Sequence, residues 1–184
     1  MREVSMRKRN IRLLGLIAVL ATLHTSPAMA GQFNAVVNGK SYHFNSTYDW
    51  NESNSGLGIE HEFASTSAWR TTVMANGFRD STDTMSYMAG GGLHRRLFET
   101  DRLSGFYVSA GLSAFFMTRE DVNDNRPFPG ILPSVSIGND KVGFNLTYLP
   151  RKAVESTTSS TIVDPTISGI LFIQFKVSLD QLLP

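Results

Sequence analysis

The chain has 184 residues, no cysteine, and 17 Lys/Arg against 16 Asp/Glu. That length fits a single domain, and the lack of cysteine excludes a disulfide framework and any Cys-ligated zinc site. The charge balance shows none of the basic surplus that nucleic-acid binders carry.

Five of the cations fall in the first twelve residues: Arg2, Arg7, Lys8, Arg9 and Arg12. The apolar run LLGLIAVLATL (13–23) follows, then SPAMA ending at Ala30. A basic segment, a short apolar core and A-x-A before Gly31 predict a secretory signal peptide over residues 1–30. The apolar run is too short for a membrane helix, which takes about 20 residues. The predicted mature domain, 31–184, keeps twelve basic and fifteen acidic side chains, a formal charge of −3. An exported, slightly acidic chain is not expected to bind nucleic acid.

Beyond the leader the repeating signal has a period of two, which is the strand period. Eight such runs lie near 33–44, 55–64, 67–79, 84–96, 102–117, 129–138, 141–149 and 165–178. In GLGIEHEF (56–63), Leu57, Ile59 and Phe63 alternate with Gly58, Glu60 and Glu62. In GFYVSAGLSAFFMT (105–118), Phe106, Val108, Leu112 and Phe116 share one face, and Tyr107, Ser109, Gly111 and Ser113 the other. VGFNLTYLP (142–150) sets Val142, Phe144, Leu146 and Tyr148 against Gly143, Asn145 and Thr147. Several runs exceed the usual strand of about 5–6 residues and reach the roughly 9–11 that a tilted membrane-spanning strand needs.

The connections alternate in character. ASTS (64–67), RRLFETDR (95–102) and GNDK (138–141) are compact, whereas NSTYDWNESN (45–54), REDVNDNRPF (119–128) and RKAVESTTSSTIVDP (151–165) are long and polar. Long loops at one end and short turns at the other predict an all-β fold, an eight-stranded antiparallel up-and-down transmembrane β-barrel over 31–184 in a bacterial outer membrane. A soluble barrel or sandwich is the competing reading, and the small polar residues opposite each apolar face count against it.

This topology brings candidates together. Strands one and three both climb toward the loop end, so His43, Asp80 and Ser81 meet at one rim, with chemistry suited to a base, its orienter and a hydroxyl. Asp-Ser-Thr-Asp between two strands is also ordinary turn chemistry, and spacing alone leaves both readings open. His61, on the face of Leu57 and Ile59, and His94, near a short turn, read as interfacial. Trp50, Trp69 and Tyr148 read as parts of interfacial aromatic girdles.

The strings GFRDS (77–81), WNESNSGLG (50–58), FPGILP (128–133) and SVSIGNDKVGFNLTYLP (134–150) occur in the order that resembles the lipid A palmitoyltransferase (PagP) family. The resemblance covers about residues 42–150, with Arg79 where the family carries lysine. It implies an outer-membrane enzyme that moves a palmitoyl chain from a phospholipid donor to lipid A, working as a monomer without cofactor or metal. By position, Asp80 and Ser81 match the family's catalytic pair and His43 its histidine, with Asp80 supporting the imidazole. Gly92, in AGGG (89–92), matches the glycine at the floor of the acyl pocket. Pro150 matches a proline that interrupts strand pairing beside a lateral opening. Founding members carry an amphipathic helix before strand one, whereas only about a dozen residues of the predicted mature domain precede His43.

Arg119 and Arg126, beside Glu120, Asp121 and Asp124, are placed to contact lipid A phosphates, and a solvated ion network is the plainer alternative. No His/Asp/Glu set has metal-ligand spacing. A non-enzymatic outer-membrane barrel on the same scaffold remains the alternative to the enzyme. A lipid A deacylase is a weaker third reading, since no His-Ser string stands at a strand end.

Overall fold

The structure, a computed structural model, describes residues 31–157, 164 and 166–180. The predicted signal peptide (1–30) and part of the connection after residue 157 lie outside them. Eight strands form a closed barrel in sequence order: β1 (Gly31–Phe44), β2 (Ser53–Phe63), β3 (Trp69–Arg79), β4 (Met85–Thr100), β5 (Phe106–Thr118), β6 (Phe128–Gly138), β7 (Val142–Pro150) and β8 (Gly169–Ser178). The ladders from β2–β3 through β7–β8 are antiparallel, as is the closing one, where β1 pairs with β8 from Asn34↔Ser178 to Phe44↔Gly169. All eight anticipated strands are present. The fourth runs on to Thr100, through a bulge at Leu97, so most of RRLFETDR is strand and the turn is confined to 101–105.

The barrel is built inside out. Leu57, Leu93, Leu112, Phe116, Ile131 and Phe144 point away from the lumen and are about half exposed or more. Asn38, Glu60, His94, Ser109, Asn145 and Lys176 point into it and are buried. An apolar belt around a polar lumen is the arrangement of an outer-membrane barrel, which answers the choice between membrane and soluble readings. Closure pairs β1 with β8, so no strand stands at the edge of an open sheet.

Charges in the turn-end half of the lumen are paired, as burial demands. Lys176 Nζ lies 2.9 Å from Glu60 Oε1, and Asn145 Nδ2 donates to Glu60 Oε2 at 3.0 Å. Arg96 meets Glu62 at 3.0 Å and lies 3.6 Å above the Tyr107 ring. The loop-end half differs. There a cavity of about 290 Å³ is walled by Met74, Phe78, Met88, Phe115, Leu132 and Phe172. The interior therefore has two storeys, a polar plug below and an apolar chamber above.

Two departures from regular pairing shape the chamber. On β1, Asn38 pairs with Gln174 and Lys40 with Ile173, so Gly39 is the extra residue of a bulge. Before it the even residues Asn34, Val36 and Asn38 are buried; after it the buried positions become odd, Ser41 and then the side chain of His43. Between β6 and β7, pairing stops at Ser134↔Thr147, although β6 continues to Phe128 and β7 to Pro150. Pro129 and Pro133 lie in the unpaired stretch and share parity. The β5 ladder runs unbroken past both, so their missing N–H groups fall on the edge facing β7.

Candidate active site

The site lies at the loop-end rim, where the bulge on β1 has turned His43 inward. Its imidazole Nε2 is 3.0 Å from Ser81 Oγ. Its other nitrogen, Nδ1, is 3.4 Å from Glu52 Oε1, and the same oxygen accepts the His43 backbone N–H at 3.0 Å. A carboxylate facing Nδ1 favours the proton there, which leaves Nε2 to accept the serine hydroxyl. Serine, histidine and carboxylate thus form one relay, the arrangement that activates a hydroxyl as nucleophile. The bond from the His43 N–H holds the Glu52 carboxyl below its ordinary value, against a smaller effect of burial.

Asn51 sets the approach of the two loops. Its N–H donates to Ser81 O at 3.0 Å, and its side-chain amide donates to Asp80 O at 2.9 Å. The contacts tie the β1–β2 loop to the start of the β3–β4 turn, one at Ser81 itself and one at the residue before it. Trp50 stacks on the His43 ring, with centroids 5.4 Å apart and planes 18° apart. Its indole N–H donates to Ser46 Oγ at 2.7 Å, and Ser46 donates to Asp164 Oδ2 at 2.5 Å. Asp164 also accepts Thr47 N–H at 2.8 Å and Thr166 N–H at 2.9 Å, so it joins the first and last loops. Burial pushes this carboxyl up, but its hydrogen bonds outweigh burial and hold it well below the ordinary range.

Asp80 does not support the imidazole as expected. It is 2 % exposed, yet its oxygens face the other way. They accept Ser86 Oγ–H at 2.7 Å, Thr82 N–H at 2.9 Å and Thr82 Oγ1–H at 2.7 Å. Arg119 Nε stands 3.6 Å away. Asp80 is thus the pin of its own turn, and the orienting carboxylate is Glu52. Burial raises the Asp80 carboxyl, while the Ser86 and Thr82 bonds and then the Arg119 charge lower it further, and the net is downward.

Arg119 is engaged on both sides, by Asp80 and by a two-pronged contact to Asp121 at 3.0 Å. It lines the cavity mouth, but its charge is already met there. Gly92 faces inward beneath the chamber. A Cβ there would come within 2.4 Å of His94 Cε1 and 2.8 Å of Thr72 Oγ1. His94 is not interfacial: it points into the lumen and its Nε2 is 2.7 Å from Ser134 Oγ, which is 2.9 Å from Ser113 Oγ at the cavity floor. His61 packs against Phe33 and Phe63. Pro150 ends β7 opposite Gly169 of β8. The break in β6–β7 pairing instead starts lower, beside Pro133, and residues on both sides of it (Leu132, Thr147, Leu149) line the cavity. Trp69 and Tyr148 are exposed as girdle residues would be, whereas Trp50 belongs to the site.

Sequence reasoning gave Glu52 and Trp50 no part in the site. Both stand in the string WNESNSGLG (50–58). The available signal was a carboxylate in the loop that directly follows the strand carrying His43. Among the described residues no group of three or more metal-ligating side chains gathers.

Comparison with known proteins adds a lineage. A stretch of 47 residues is 36% identical to the lipid A acyltransferase PagP of Methylobacillus flagellatus, covering 26% of this chain and 26% of that protein. Among solved structures the chain is similar to Neisserial surface protein A, with a TM-score of 0.36 and 18% identity over 80% of this chain and 95% of that one. The family model described as "antimicrobial peptide resistance and lipid A acylation protein PagP" matches residues 29–159, most of the chain, and the chain therefore belongs to the PagP family.

Proposed function

We propose that this protein is an outer-membrane acyltransferase that moves a long acyl chain, palmitoyl in the family's pattern, from a phospholipid to lipid A. One observation carries the reading: the Ser81–His43–Glu52 relay stands at the mouth of an apolar chamber within a membrane barrel. A chamber of this polarity suits a hydrocarbon chain, and the break between β6 and β7 adjoins it. Family membership supports acylation of lipid A as the outcome.

The chemistry follows from the geometry. Nε2 of His43 takes the Ser81 proton as Oγ attacks the ester carbonyl. The bond from that carbon to the lyso-phospholipid oxygen breaks, and the proton on Nε2 passes to the leaving alkoxide. A lipid A hydroxyl then gives its proton to Nε2 and attacks the acyl-serine. Ser81 leaves with that proton, and the new ester departs. The His43 side chain, 2 % exposed, and the apolar chamber wall keep water from the acyl group, which it would otherwise intercept.

Mass spectrometry of lipid A from cells with and without the protein tests this. A species heavier by one long acyl chain is expected with the wild type and absent with Ser81→Ala. Unchanged lipid A, with the barrel folded in the outer membrane, overturns the reading.

A further inference from the structure

A buried hydroxyl or amide oxygen without a partner is costly, so such groups call for an explanation. Two stand in the cavity wall. Ser41 is 2 % exposed, as is Asn54, and neither Ser41 Oγ nor Asn54 Oδ1 has a hydrogen-bond partner among the described residues. Both border the chamber that Ser81 also lines. Other partnerless buried atoms, on Asn38, Thr72 and Ser178, belong to residues outside that lining.

The two groups ask for different things. Asn54 Nδ2 donates to Arg79 O at 2.9 Å, which fixes the amide orientation because a carbonyl accepts only from a donor. Its free atom is thus an acceptor and cannot meet an ester carbonyl. Ser41 can. Its hydroxyl is free to donate, and it is the buried position two residues before His43 on the far side of the Gly39 bulge. One such step along a strand is about 7 Å. Ser41 therefore lies one rung deeper than the base, on the side toward which an acyl chain hung from Ser81 would run.

We propose that Ser41 is a further catalytic residue, its hydroxyl donating a hydrogen bond to the carbonyl oxygen of the acyl ester at Ser81. The inference rests on the acyl-transfer reading. No proton is transferred: the bond forms in the bound ester and strengthens as the carbonyl oxygen gains negative charge during attack. It also accounts for the partnerless hydroxyl, whose partner is the substrate.

The test compares a diester phosphatidylcholine with its diether analogue, which lacks the carbonyls, in binding to the detergent-folded full-length barrel. Wild type should bind the diester about three- to tenfold more tightly, the range of one hydrogen bond. Ser41→Ala should lose that preference, Ser41→Thr should restore it, and the unfolding midpoint of Ser41→Ala should match or exceed wild type because a partnerless group has gone. If Ser41→Ala does not fold, Ser41→Cys, similar in size and a weak donor, replaces it. A diester preference unchanged in these variants, or absent from wild type, overturns the proposal. Lipid A analysis separates it from the parent reading. Wild type that discriminates through Ser41 yet leaves lipid A unmodified sinks lipid A acylation alone. Lipid A modified at an equal rate by wild type and Ser41→Ala sinks the role of Ser41 alone; under the proposal kcat falls about 10²-fold, and KM rises by no more than the roughly three- to tenfold lost in binding.

Discussion

A histidine base needs its far nitrogen held, and at this rim the carboxylate within reach of Nδ1 is Glu52, 3.4 Å away. Its side chain is 40% exposed, so water weakens its hold. Glu52→Gln is therefore expected to lower kcat about 10- to 100-fold, less than the roughly 10⁴-fold of a buried triad carboxylate. KM should stay within about twofold, because ester binding does not use this group. Steady-state kinetics on a chromogenic long-chain ester checks both. Asp80 has a different task, and its signature is acid sensitivity. A carboxyl depressed in the folded state adds stability above its unfolded value, near 3.8, and loses it as pH falls through its lower folded value. Asp80→Asn should therefore unfold more readily than wild type at about pH 6, and the gap should narrow toward about pH 3. Urea titrations of the detergent-folded barrel at the two pH values read this directly, and a gap that widens in acid contradicts it.

At the scale of elements, strand parity was legible because one face of each strand meets lipid and the other meets a polar lumen, so alternation survives in the residues themselves. Phe106 to Phe116 on β5 is the clearest case. Parity fails where a ladder is irregular. Gly39 in the middle of a strand is a bulge signal, but only the pairing of Asn38 with Gln174 and Lys40 with Ile173 shows that it resets the inward face from Asn38 to Ser41 and His43. Likewise, an Asp-Ser pair beside a histidine suggested one relay, whereas the choice between Asp80 and Glu52 depends on side-chain directions in two loops. The bulge makes a sharp forecast. Deleting Gly39 restores plain alternation from Asn38 to Ser41, so His43 still faces the lumen and acyl transfer should persist. Inserting one alanine between Lys40 and Ser41 turns Ser41 and His43 toward lipid, and transfer should fall to the level of His43→Ala. Lipid A profiles of the two variants, with heat-modifiability on gels to confirm folding, decide it; equal activity in both rejects the bulge as the device that aims His43.

At the scale of the molecule, the two storeys divide the work. The lower storey, closed by the Glu60–Lys176 pair and its amide partners, holds the cylinder in register without an apolar core. The upper storey can then stay open for a lipid chain, provided there is a way in from the side. A closed ladder would forbid this, since every strand edge would be hydrogen-bonded. The unpaired stretch of β6 above Ser134 is where the ladder is open, and Pro129 and Pro133 keep it open because neither can donate an N–H to β7. Continuing the register from Ser134↔Thr147 sets Leu132 against Leu149, and both line the chamber. Leu132→Cys with Leu149→Cys places a thiol on each side of the opening in a protein that has no cysteine of its own. Oxidation should bridge the opening and stop lipid A acylation, and reduction should restore it, while hydrolysis of a short soluble ester that enters from the loop end continues throughout. Full acylation by the oxidised, demonstrably cross-linked barrel would mean that the chain enters elsewhere, and the proline-lined break would then have no part in admitting it.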